Sequence, residues 1–105
     1  MVADNCSSAG LVIGPWTRRF DTLRNAGVLM RVDGRAVQVG SAAAILGDPL
    51  RSVVQASRLI SQSGLVLPAG SLIMAGAATA AEALPRGAHV QCVVNGLGTT
   101  EFTTY

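Results

Sequence analysis

The sequence predicts an α+β, β-rich fold with one main helix, and three stretches carry that expectation. Val28, Met30 and Val32 alternate with Leu29 and Arg31, and Val37 and Val39 alternate with Ala36 and Gln38, on either side of Asp33-Gly34. Asp-Gly between alternating runs signals a hairpin, because a type I′ turn needs positive φ at both central residues. Residues 49–63 lie between a capping Asp48, with Pro49 in the first turn, and a terminating Gly64. His89 to Val94 and Thr100 to Thr104 read as two strands joined by Asn95-Gly96-Leu97-Gly98.

The other elements follow in chain order. Leu11-Val12-Ile13 reads as a short buried strand stopped by Gly14-Pro15, and Trp16 to Asn25 has no clean period and reads as a loop. Gly40 to Gly47 is a small-residue segment. Within the helix, Leu50, Val53, Val54, Ser57 and Ile60 form one stripe at helical spacing, which predicts a buried face packed on the sheet. Ser71 to Met74 is expected to be a strand, followed by a Gly/Ala/Thr loop and a Pro85-Arg86-Gly87 turn. With no repeat or linker, residues 1–105 read as one domain.

Composition excludes several functions. The 105 residues carry only 13% charged side chains and a net charge of +2, with no basic run longer than Arg18-Arg19. Such a surface lacks the footprint of a nucleic-acid binder. All eight basic residues are Arg, so this chain offers no lysine for a Schiff base, a phosphate loop or general-base work. Half the residues are apolar, sixteen of them Ala, and only four are aromatic. A chain this poor in charge is expected to meet a partner or another copy of itself. No apolar run approaches the ~20 residues of a membrane span, and no secretory leader is visible, so a cytoplasmic location is expected.

The candidate chemistry is sparse. The six acids are Asp4, Asp21, Asp33, Asp48, Glu82 and Glu101. Asp33 reads as a turn residue, Asp48 as a helix cap, Asp21 as a loop residue and Glu101 as a strand-surface residue. Asp4, followed by Asn5, Ser7 and Ser8, reads either as a local turn network or as the wall of a site. His89 and Cys92 are three apart on an expected strand and so face opposite ways, which rules them out as ligands of one ion. Cys6 reads as structural; as a nucleophile it would need His89, the single histidine, as its base. Gly76 lies just past an expected strand end, where it serves either tight loop packing or the close approach of an anion to backbone N–H groups.

Four ordered segments carry a family resemblance: Val2-Ala3-Asp4-Asn5-Cys6-Ser7-Ser8, Gly40 to Gly47 with Pro49, Pro68 to Met74, and Gly96-Leu97-Gly98. Together they resemble the C-terminal portion of the 4-oxalocrotonate decarboxylase and 2-keto-4-pentenoate hydratase family. That resemblance implies a fumarylacetoacetate-hydrolase-like fold, a mixed, curved β-roll with peripheral helices. It also implies lyases of aromatic meta-cleavage pathways acting on small 2-keto or 2-hydroxy dienoic acids, with magnesium or manganese on the substrate's carboxylate and 2-oxo oxygens. Leu72-Ile73-Met74-x-Gly76 followed by Thr79-Ala80-Ala81 looks more like the decarboxylases than the hydratases.

By the same resemblance, Asn5, Ser7 and Ser8 would line the site and the Gly76-Ala77 backbone would face the substrate carboxylate. The family's Glu-x-Glu metal ligands and its lysine belong to an upstream half and have no counterpart in this sequence, so no metal ligand is assigned here. Ala75-Gly76-Ala77 stands where decarboxylases tend to have Thr-Gly-Gly, and Gly87-Ala88 where a Gly-Asp turn is usual. The expectation is a half-enzyme that works with a complementary or full-length family chain, or with itself as an oligomer; the alternative is a non-catalytic remnant of the fold.

Overall fold

The structure is a computed structural model that describes residues 10–18, 21 and 23–105. Its centre is a four-stranded sheet. Strands β1 (Gly27–Val32), β2 (Arg35–Ser41), β3 (His89–Val94) and β4 (Gly98–Thr103) lie in the order β2-β1-β3-β4. All three pairings are antiparallel. The parallel pairing implied by a mixed sheet is therefore not found among the described residues.

The β1–β2 hairpin forms as its alternation predicts. Asp33 and Gly34 take φ of 51° and 79°, the left-handed pair that a tight hairpin turn requires. Asp33 also ties this turn to the next strand: its N–H donates to the His89 carbonyl and its carboxylate accepts from the His89 N–H, at 2.8 and 2.9 Å. A register shift between Met30 and Arg31 bends the hairpin. At the same end of the sheet, Thr104 Oγ1 accepts from the Ala88 N–H at 2.9 Å and donates to the Pro85 carbonyl. These bonds secure the expected Pro85-Arg86-Gly87 turn and leave Ala88 only 1% exposed.

Register decides which face becomes the core. Val28 pairs with Gly40 and Val94, and Val94 pairs with Gly98, so these four share a face. Met30, Gln38, Cys92 and Thr100 form the next row, and Val32, Val90 and Phe102 the row after that. Two irregular segments cover this face. Pro15 lies against Gly98 and Gly14 against Thr100, while Ala78 and Thr79 cross Gly40 and Glu82 accepts from Gln38 Nε2 at 2.7 Å. Val90, on the same face, is 3% exposed. The opposite face carries a polar row, Arg31–Gln91–Glu101, joined by side-chain hydrogen bonds of 3.3 and 3.4 Å.

Helix α1 (Pro49–Gln62) starts as expected. Asp48 caps it by accepting the Leu50 N–H at 3.0 Å, Pro49 sits in the first turn, and Gly64, at φ 73°, follows its C-cap Ser63.

Three expectations are corrected. Leu11-Val12-Ile13 makes no strand; it is half-exposed and pairs with nothing among the described residues. Ser71–Met74 likewise makes no ladder. The helix stripe is not buried against the sheet: Leu50 and Val54 are exposed, and Pro49 is the helix's only buried residue. Apolar patterning specifies a face that seeks cover, and the described residues cover this one only in part, leaving Val53 and Ile60 half-buried. The expected loop from Trp16 to Asn25 is irregular wherever it is described.

Candidate functional site

The antiparallel order places one end of every strand together. β1 starts, β2 ends, β3 ends and β4 starts at the same edge, so Gly27, Ser41, Val94 and Gly98 mark one end of the sheet. His89 and the Asp33-Gly34 turn mark the other, about 17 Å away along five strand steps. Backbone bonds tie the first end together: Asn95 N–H donates to the Gly27 carbonyl at 2.8 Å and Ala42 N–H to the Ala26 carbonyl at 2.9 Å.

Gly40 to Gly47 wraps this end. Ser41 leaves β2 and caps a 3₁₀ turn, Ala42–Ala44, its Oγ accepting from the Ala43 N–H at 3.1 Å and donating to Asn25 Oδ1. Leu46 and Gly47 then take positive φ, 53° and 80°, and Asp48 N–H returns to the Ile45 carbonyl at 3.0 Å. That turn aims α1 away from the sheet, and Arg51 braces it by donating to the Leu46 carbonyl at 3.2 Å.

The loop after Met74 joins the wrap at two glycines. A side chain at Gly40 would collide with the Ala78 carbonyl and come within 2.8 Å of the Thr79 methyl. Gly76 has φ 144°, and a Cβ there would lie 3.1 Å from Ile45 Cγ2. Gly76 is therefore held to glycine by conformation and by contact together. The N–H groups of Gly76 and Ala77 are exposed and make no hydrogen bond among the described residues. Two unpaired backbone donors on adjacent small residues are chemistry that suits a carboxylate.

Of the sequence-expected site residues, Gly76 and Ala77 thus lie at this end, beside the Gly40–Gly47 wrap and on the same sheet end as Gly96-Leu97-Gly98. Asn5, Ser7 and Ser8 lie outside the described residues, as do Asp4 and Cys6. His89 sits at the far end, 3.3 Å from Glu101. Cys92 faces the core between Met30 and Thr100, and desolvation by burial raises its thiol pKa, which opposes a nucleophilic role. Among the described residues no group of three or more His, Cys, Asp or Glu could hold a metal ion. This donor set does not fit a divalent cation. Sequence reasoning missed the crossing at Gly40, whose signal was the small-residue run itself: small side chains where one backbone passes over another.

The model of the fumarylacetoacetate (FAA) hydrolase C-terminal family matches residues 1–104. The chain belongs to this family. It is 52% identical over 104 residues to a 4-oxalocrotonate decarboxylase of Pseudomonas sp, an alignment covering 99% of this chain and 41% of that protein. It is 40% identical over 105 residues to a 2-keto-4-pentenoate hydratase of Paraburkholderia xenovorans strain LB400, covering 96% of this chain and 39% of the hydratase. Among solved structures it resembles 4-oxalocrotonate decarboxylase from Pseudomonas putida G7, complexed with magnesium and adipate or with calcium and acetate. The TM-score is 0.74 at 37% identity in both, over 79% of this chain and 32% of that one. The chain spans about two fifths of the length of the curated relatives it matches. No helix among the described residues is long and apolar enough to cross a membrane.

Proposed function

We propose that this chain supplies the substrate-orienting wall of a 4-oxalocrotonate decarboxylase-type lyase. The observation that carries this reading is the 52% identity to such a decarboxylase across nearly the whole chain, against 40% to the hydratase. The reaction takes 2-oxo-3-hexenedioate to 2-hydroxypenta-2,4-dienoate and CO₂. The C5–C6 bond breaks, its electron pair runs through the conjugated chain to the 2-oxo oxygen, and a proton completes the hydroxyl. The barrier falls if the substrate is held with that bond aligned to the conjugated system.

Holding is what these residues suit. The open N–H groups of Gly76 and Ala77 receive a substrate carboxylate, and Asn5, Ser7 and Ser8 complete the wall. Neither hydroxyl nor amide stabilises a dienolate as a cation does, so magnesium or manganese is held by residues beyond those described here. In the same reading, residues 1–105 form one domain, and the four-stranded sheet is one part of a curved β-roll completed by the rest of the family fold. The assembly works in the cytoplasm, as an oligomer or with a complementary family chain.

The test is the ultraviolet decay of 2-oxo-3-hexenedioate. The purified chain alone, with magnesium or with EDTA, is expected to leave the substrate intact. Addition of the N-terminal portion of a family decarboxylase is expected to start a decay that EDTA stops. Water addition to 2-hydroxypenta-2,4-dienoate without CO₂ release would reassign the chain to the hydratases. A stable pair that turns over neither substrate would make it a non-catalytic remnant.

A further inference from the structure

The loop that carries the Gly76 and Ala77 donors has no backbone hydrogen bonding to hold it. Among the described residues, no backbone N–H from Leu72 to Gly87 donates a hydrogen bond. Side chains from elsewhere in the fold place the loop instead. Glu82 accepts from Gln38 Nε2, Ala78 and Thr79 cross Gly40, and Gly76 lies against Ile45. Of these, the last bears directly on the donor pair.

The three heavy atoms nearest to where a Cβ on Gly76 would stand all belong to Ile45: Cγ2 at 3.1 Å, Cγ1 at 3.7 Å and Cβ at 3.9 Å. They are the branch of that side chain, not its tip. A β-branched residue is stiff at χ1, so the branch keeps one direction wherever its backbone is fixed. The backbone of Ile45 is fixed. Its N–H donates to the Ala42 carbonyl and its carbonyl accepts from the Asp48 N–H, both at 3.0 Å. Ser41, bonded to Asn25 and to the Ala43 N–H, caps the 3₁₀ turn before it, and Arg51 holds the Leu46 carbonyl after it. A braced side chain thus stands against an unbraced pair of donors.

We infer that Ile45 is a positioning residue for the carboxylate-binding pair, acting through its β-branch on Gly76. This rests on the functional reading above and deepens it, because Ile45 acts on the donors and not on the substrate. Two donors hold one carboxylate well when both are aimed before it arrives; a loop that the ligand must order loses affinity to its own ordering. Shape, not size, is therefore what position 45 supplies. Val keeps all three atoms that face Gly76, whereas Leu keeps the size of Ile and loses the branch at Cβ.

The test compares the full chain with its Ile45→Val and Ile45→Leu variants by amide relaxation at Gly76 and Ala77, and by the shifts of those amides on titration with adipate, a linear dicarboxylate. Order parameters near the rigid-backbone value of about 0.85 are expected in the parent and Ile45→Val chains, falling below about 0.6 in Ile45→Leu. The half-saturating adipate concentration is expected to rise about 3- to 10-fold in Ile45→Leu, the weight of one well-placed hydrogen bond. Ile45→Thr, which keeps the branch and loses the apolar character, is expected to follow Val, and it supplies the comparison if Leu disturbs the fold. A packing role alone ranks the variants by size and apolarity, with Leu nearest the parent and Thr farthest from it. That ranking, or no difference among the chains, or mobile Gly76 and Ala77 amides in the parent, would overturn the inference. Branch-dependent rigidity without any adipate shift in the parent leaves Ile45 as the prop and removes the carboxylate reading. Equal adipate shifts in every chain keep the carboxylate reading and remove Ile45 from it.

Discussion

The four-stranded sheet and the stretch from Leu65 to Leu84 are both rich in Val, Leu and Ile, and they end in opposite states. In the sheet every strand finds a hydrogen-bonded neighbour, and the face it buries holds Val90 at 3% exposure. In the second stretch, Leu65, Val66, Leu72, Met74 and Leu84 all face solvent. The difference is pairing: β1 meets β2 and β3 meets β4 across short turns, and β1 meets β3 from about sixty positions away, whereas Leu65–Met74 has no ladder partner among the described residues. Apolar content alone does not make a core; register with a partner does.

Substituting the two regions alike breaks the comparison most forcefully. Val90→Asp buries an unpaired carboxylate and is expected to cost about 4 kcal/mol or more. Val66→Asp should shift stability by less than about 0.5 kcal/mol. Urea unfolding of the two variants side by side checks both, and equal losses would mean that Leu65–Met74 is packed in solution.

Gly40→Val attacks a close crossing between the regions. The new side chain meets the Ala78 carbonyl, and the expected loss is about 1–3 kcal/mol. Proteolysis in the 76–80 loop should rise with it, read by mass spectrometry.

Asp48→Ala removes the α1 cap and should cost about 1 kcal/mol. Because the helix leans on little else, the loss should appear as reduced helical circular dichroism before the sheet unfolds. Simultaneous loss of both signals would instead show that helix and sheet are coupled.

The smallest effect is a pH effect. Burial raises the Cys92 thiol pKa in the folded chain, so the folded state keeps its proton where the unfolded chain loses it. Stability is therefore unaffected at neutral pH and falls once pH passes the unfolded thiol's value, about 8.5. Cys92→Ala should remove that alkaline decline while lowering stability slightly throughout, as thermal melts from pH 7 to 10 would record.

Much of this was legible in the residues. Asp33-Gly34 with the alternation around it, Asp48-Pro49, Gly64 and the His89–Val94 run are local signals, and each produced its element at the expected place. Leu11–Ile13, Ser71–Met74 and the helix stripe depart from expectation in the same way: each is an apolar run that finds no ladder or only partial cover among the described residues. The site divided the same way. Gly76 and Ala77 could be singled out as a loop past an expected strand. That Gly76 rests on Ile45, and Ala78 on Gly40, could not, because those contacts join residues thirty or more positions apart.

By itself the sequence determined the turns, the caps, the strand segments and the family, since each depends on chemistry within a few residues or on ordered motifs. It also determined that no lysine or paired acids are available to this chain. Only the tertiary structure decided which sheet face is the core, that the Gly40–Gly47 and Gly96–Gly98 segments meet at one sheet end with Gly76 beside them, and that Leu50 and Val54 of the helix and most of Leu65–Met74 stand exposed. Those outcomes depend on pairing register and on the loops that cross a face. They are sums over distant contacts, and no local window of residues contains them.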